Sequence, residues 1–247
     1  MSRVDQPASN RPTEVPVPKH KHRDVQGGVA RAAVFGASDG LVSNVSLILG
    51  VAAANPGPGV VRLAGLAGWI AGAISMAAGE YGSMKAQTEL LEYELDLERI
   101  ELHRNPAVET RELAQLYEAR GVTPEMAFDL ATQMMSDPEV ALEAHAREEL
   151  GIDPDALGSP VGAAVASFGA FSVGALLPLL PWLFGSGAAA VVASVVLGLL
   201  GAATVGATLA RSTHGSYARL VARYCGIAIL AGGITFAVGS VVGVSTG

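Results

Sequence analysis

Residues 34–53, VFGASDGLVSNVSLILGVAA, decide the fold. Their length and their Val, Leu, Ile, Ala and Gly content read as a helix crossing hydrocarbon. Asp39 nevertheless sits inside the run. A carboxylate at the centre of a membrane helix costs at least about 2.5–3.5 kcal/mol on insertion scales. Keeping it there demands a return that hydrophobicity does not supply.

The rest of the chain supports a membrane reading. Of its 247 residues 50% are hydrophobic and only 16% charged, with 30 glycines and a mean hydropathy of +0.40. Soluble domains carry about 25% charged residues. Apolar residues gather in five blocks, approximately 29–54, 60–82, 161–184, 188–210 and 220–244. Each is long enough for the roughly 20 residues that cross about 30 Å of hydrocarbon. Asp39 and Glu80 are the acids within them. The predicted fold is an all-α membrane protein: transmembrane helices 1–2 over 29–85, a cytosolic helical domain over 86–156, and helices 3–5 over 157–247. Cys225 falls in the last block and reads as a small packing residue, so no disulfide framework is expected.

Residues 1–28 are basic, polar and proline-containing, with no apolar core ahead of a small-residue cleavage site. They predict a disordered cytosolic tail, not a secretory signal. Within it KHKHR, 19–23, reads as an orientation signal on anionic headgroups, with a metal-binding tract as the alternative. Lys and Arg mark the cytosolic side of short loops. Arg3, Arg11, Lys19, Lys21, Arg23 and Arg31 precede or open the first span, Lys85 follows the second, and Arg211 and Arg219 flank the link between the fourth and fifth. The pattern predicts a cytosolic N-terminus, a cytosolic 86–156 segment and a C-terminus on the far side.

That middle segment has its own composition: 18 acidic residues, 5 arginines and no lysine, a net charge of −13 against −7 for the whole chain. Residues 83–104 contain no Pro or Gly and read as an extension of the second span, stopped by Pro106. Further helices are predicted over 108–121, 123–135 (Thr123 as N-cap, Pro124 at the first position) and 136–151 (a Ser136–Glu139 capping box, closing on Gly151). Glu94, Glu98 and Glu101 share one stripe of the first helix; Glu109 and Glu112 lie at i, i+3, and His145 and Glu149 at i, i+4. Like charges at such spacings repel by a few tenths of a kcal/mol per pair, so a cation that neutralised them would stabilise the unit. Oxygen-rich groups suit Mg2+, Mn2+ or Fe2+, and a histidine adds preference for transition metals.

Enzymatic readings fit poorly. A ferritin-type di-iron centre wants Glu-x-x-His on two helices, but the histidines here occur in ELH (101–103) and EAH (143–145). GASDG (36–40) matches the Gly-x-Ser-x-Gly hydrolase elbow, which needs a strand before the serine and not a continuous helix. No histidine lies within a span to serve an intramembrane serine protease.

On a helix through Asp39, Gly36, Ser43 and Ser46 share its face; in the second span Gly72, Met76, Glu80 and Ser83 form a matching stripe. Asp39 and Met76 lie eight and nine residues from the flanking Arg31 and Lys85, about 12–14 Å from the cytosolic collar. An acid and a thioether thus come to similar depth, with Glu80 and Ser43 nearby, as a passing site for a transition metal. Ionisable groups within membranes usually mark pathways.

GASDGLVSNVSLILG, SMAAGEY (75–81), PLLPWLF (178–184) and REELG (147–151) together resemble the vacuolar iron transporter family, which includes manganese transporters. The resemblance covers the chain from about residue 29 onward. It implies a five-span homodimer with its pathway at the subunit interface, exchanging a cytosolic divalent metal for protons. The family's pathway acid matches Asp39 and its pathway methionine Met76. Its cytosolic metal-binding glutamates match Glu98, Glu101, Glu109, Glu112 and Glu149. The chain departs from the plant and protist iron members in carrying His145 and Ala146 where they have a methionine pair. Where they carry an acid early in span two, it has Gly68 or its apolar neighbours. The expected function is proton-coupled Fe2+/Mn2+ transport out of the cytosol, with Zn2+ and Co2+ as further candidate ions. No prosthetic group, enzymatic activity or nucleic-acid partner is expected. The Ala/Gly-rich composition suggests a bacterial plasma membrane, or the vacuolar membrane in a eukaryote. The rival is a non-transporting scaffold or metal sensor whose acidic unit docks a basic partner; it would tolerate Asp39→Asn and Met76→Leu.

Overall fold

The computed structural model describes residues 28–246. The basic tail, with the KHKHR tract, lies outside them. Among the described residues there are eight α-helices, one short 3-10 turn and no strand. They are α1 (Gly28–Ala53), α2 (Pro58–Arg104), α3 (Pro106–Ala119), α4 (Pro124–Met134), α5 (Pro138–Glu148), α6 (Pro160–Phe184), α7 (Gly187–Thr213) and α8 (Tyr217–Thr246). Five of them, α1, α2, α6, α7 and α8, are long and apolar enough to cross a membrane.

The 47 residues of α2 span about 70 Å at the helical rise, more than twice the hydrocarbon thickness. Its second half therefore stands clear of the bilayer zone, as the absence of Pro and Gly from 83–104 predicts. Asn105 ends α2 and Pro106 opens α3 at once, because a proline at N1 has no amide hydrogen to waste. The capping box predicted at Ser136 does not form. Pro138 takes N1 of α5, which makes Asp137 the N-cap, and its carboxylate accepts from the Glu139 and Val140 amides. Ser136 instead donates to the Gln133 carbonyl at 2.7 Å.

In the membrane half α1 is the central helix, held most closely to α6. Small residues permit that approach. A Cβ on Gly36 would lie 2.7 Å from the Ser167 carbonyl oxygen, and Cβ atoms on Gly40 and Gly174 would collide with the main chain of Phe171 and Ala37. Buried Asn44 crosses the seam, donating from Nδ2 to the Ala175 carbonyl at 2.7 Å. At the far end Arg62 donates to the carbonyls of Trp182 (2.5 Å) and Gly185 (3.2 Å), satisfying acceptors that the end of α6 leaves open. Outside the membrane half, Leu95 and Leu102 of α2 pack on Ala141, Leu142 and Ala146 of α5, while Leu113 and Ala114 of α3 pack on Ala127 and Ala131 of α4.

Candidate functional site

Two groups of polar residues stand out, one in each half. The first is the meeting of α2, α3 and α5. The apolar stripe that seats α5 on α2 turns His145 inward against Glu98, and α3 brings Glu109 to the same point. One ligand atom from each of Glu98, Glu109 and His145 lies within 4.8 Å of the others. All three are buried: His145 is 0% exposed, Glu98 5% and Glu109 6%. His145 Nδ1 is 3.1 Å from Glu98 Oε1 and 3.4 Å from Glu149 Oε2. The Glu98 approach is close but off the hydrogen-bond axis, so that Glu98 Oε1 and His145 Nε2 remain buried without a hydrogen-bond partner. Buried polar atoms without partners are rare and costly. A bound cation would satisfy both.

The electrostatics agree. Burial pushes the Glu109 carboxyl above the ordinary range, and the charges of Glu98, Glu112 and Glu101 push it the same way against the pull of His145. Burial likewise raises Glu149, helped by Glu98 and Glu112, although its contact with His145 works against this. For His145 burial favours the neutral ring, but the Glu98 and Glu149 carboxylates outweigh it and the net direction is up. Glu109, Glu149 and His145 are thus all shifted toward their protonated forms, a tendency that a bound cation would oppose. Glu112 and Glu101 are exposed at the rim, and Glu94 lies one turn before Glu98 on α2, outside the buried trio.

The second group lies between α1 and α2. A cavity of about 230 Å³ is lined by Asp39, Ser43, Asn44 and Leu47 of α1, Gly68, Gly72, Ser75 and Met76 of α2, and Phe171 of α6. The structure thus brings Asp39, Met76 and Ser43 together. Among the described residues no hydrogen bond or ion pair reaches the Asp39 carboxylate; Ser43 Oγ donates to the Asp39 main-chain oxygen at 2.5 Å. Glu80 does not line this cavity. One turn beyond Met76, it accepts from Arg31 at 3.1 Å, pairing the start of α1 with α2. The two larger apolar crevices beside α7 offer no carboxylate, imidazole or thioether.

Asn44 escaped the sequence reading. Its signal was an amide five residues after Asp39 within an apolar run, and Asp39, Ser43 and Ser46 drew attention to their own face instead.

With this geometry in view, the comparison with known proteins is decisive: the VIT family matches residues 30–240. The chain belongs to the VIT family. It is 43% identical over 162 residues to a vacuolar iron transporter of Acanthamoeba castellanii, covering 66% of this chain and 58% of that protein. Vacuolar iron transporter 2 of Oryza sativa subsp. japonica is 35% identical over 159 residues, 64% of each chain. Vacuolar iron transporter 1 of Arabidopsis thaliana is 34% identical over 178 residues, 70% of each. The chain thus spans rather less than two thirds of the first two VIT relatives.

Proposed function

We propose that this chain carries Fe2+ or Mn2+ out of the cytosol in exchange for protons, with Zn2+ and Co2+ as further candidate cargo. The carrying observation is the unpaired Asp39 carboxylate at membrane depth, facing the Met76 thioether across a cavity. A structural acid in hydrocarbon would be hydrogen-bonded or ion-paired; one without a partner is free to alternate between a dication and a proton. The names of the vacuolar iron transporters support iron as cargo. Oxygen and sulfur donors together suit a transition metal better than Mg2+ or Ca2+.

In this reading Glu98, Glu109 and His145 capture the ion, with Glu149, Glu112, Glu101 and Glu94 raising its local concentration around them. Twenty-two residues of α2, about 33 Å, separate Met76 from Glu98. The acidic unit is therefore a collector, and the Asp39 cavity is the crossing point. Ser43 lines the crossing, and the Arg31–Glu80 pair stands between the two. Ser43, Leu47 and Ser75, which line the Asp39 cavity, are exposed. A second copy of the chain there would keep the carboxylate from lipid, and we take the transporter to be a homodimer with its route along that seam. The protein then resides in a bilayer with the acidic unit cytosolic.

Proteoliposomes loaded at two internal pH values test this. Uptake of Fe2+ and Mn2+ that follows the pH gradient, and its loss in Asp39→Ala, is the expected result. Undiminished transport by Asp39→Ala would refute the role.

A further inference from the structure

Asn44 is 1% exposed, and its two polar ends differ. Nδ2 is held on the Ala175 carbonyl of α6 at 2.7 Å, which orients the amide. The other end, Oδ1, is buried without any hydrogen-bond partner. It points toward α2, where a Cβ on Gly68 would come within 2.8 Å of it. Asn44 and Gly68 line the same cavity as Asp39 and Met76. A tether between α1 and α6 explains the amide nitrogen but not the oxygen. An apolar residue of the same size would avoid leaving an acceptor unmet.

We propose that Asn44 is a ligand of the passing ion: its side-chain oxygen replaces a water as the dication sheds its shell beside Asp39, and tilts the route toward Mn2+ over Zn2+. The inference rests on reading that cavity as the ion's path. Amide carbonyls are neutral, hard donors that suit Mn2+, whereas Zn2+ is borderline-soft and binds strongly to imidazole and thiolate. The amide oxygen coordinates without adding charge. Gly68 contributes by omission, since any side chain there would occupy the space beside the oxygen.

The test compares Mn2+ and Zn2+ uptake into proteoliposomes holding wild type, Asn44→Leu, Asn44→Ala, Asn44→Asp or Asp39→Ala. Leucine and alanine remove the oxygen, and alanine adds no bulk if leucine fails to give monodisperse protein. Aspartate keeps an oxygen but gives up the amide. Loss of a metal-site interaction typically costs 10–100-fold. The expected result is that Asn44→Leu and Asn44→Ala lower Mn2+ uptake about tenfold or more and Zn2+ uptake much less, while Asn44→Asp retains Mn2+ transport. Equal fractional losses for both ions in all three Asn44 variants would mean a tether alone and overturn the proposal. So would wild-type rates and ratio in Asn44→Leu alongside a dead Asp39→Ala, which leaves the exchanger reading standing. Normal transport by Asp39→Ala would bring down both.

Discussion

At the scale of single residues, both candidate sites are defined by polar groups lacking partners. Among the described residues the Asp39 carboxylate has no hydrogen bond or ion pair in the membrane half, and Glu98 Oε1 and His145 Nε2 have no hydrogen-bond partner in the acidic half. In the second, His145, Glu109 and Glu149 are all shifted upward, which fixes the sign of its pH dependence. His145 titrates above its ordinary 6.5, so its contribution to the metal-free fold is fully present below that value and is lost as pH rises through the folded one. Glu109 and Glu149 are raised above their ordinary 4.5 and likewise favour the fold while protonated. Metal-free protein is expected to melt at a higher temperature near pH 6 than near pH 8, and saturating Mn2+ to reverse the order, because metal binds the deprotonated ligands. Calorimetry of the detergent-solubilised protein with and without Mn2+ checks this. A metal-free melting temperature that climbs from pH 6 to 8 would contradict it.

At the scale of elements, local signals in the sequence were readable and long-range meetings were not. The unbroken run of 83–104 announced the length of α2, and the i, i+4 spacing of His145 and Glu149 announced their contact. That Glu109 joins them depends on how α3 turns back at Pro106, which no single-helix pattern contains. The Arg31–Glu80 pair joins positions 49 residues apart and was hidden for the same reason. Pro138 moved the cap of α5 by one residue because φ at N1 is preset by the ring. The α1–α6 seam makes a prediction at this scale. Gly40 has no room for a side chain against Phe171, and overpacking a tight seam costs about 1–3 kcal/mol. Gly40→Val is expected to lower the melting temperature and shift the walls of the Asp39 cavity. An unchanged melting curve would mean that the two helices separate freely.

At the scale of the whole molecule, the acidic residue group and the Asp39 cavity are joined by one continuous helix, α2, which contributes Glu98 to the first and Met76 to the second. On the proposed reading, an ion would pass from the acidic unit to Asp39 without a change of element. Five candidate spans and a net-negative unit between the second and third were legible from composition alone. The proposed homodimer comes from family likeness, and the exposed Ser43, Leu47 and Ser75 at the Asp39 cavity give it a physical motive.

The central claim is that Asp39 gives up a proton when it takes a dication. The most direct measurement is the internal pH of proteoliposomes carrying a pH-sensitive dye as Mn2+ is added outside. Wild type is expected to move protons outward in step with Mn2+ uptake, and Asp39→Asn to show neither flux. Mn2+ uptake with no accompanying proton movement, or proton movement undiminished in Asp39→Asn, would contradict the account.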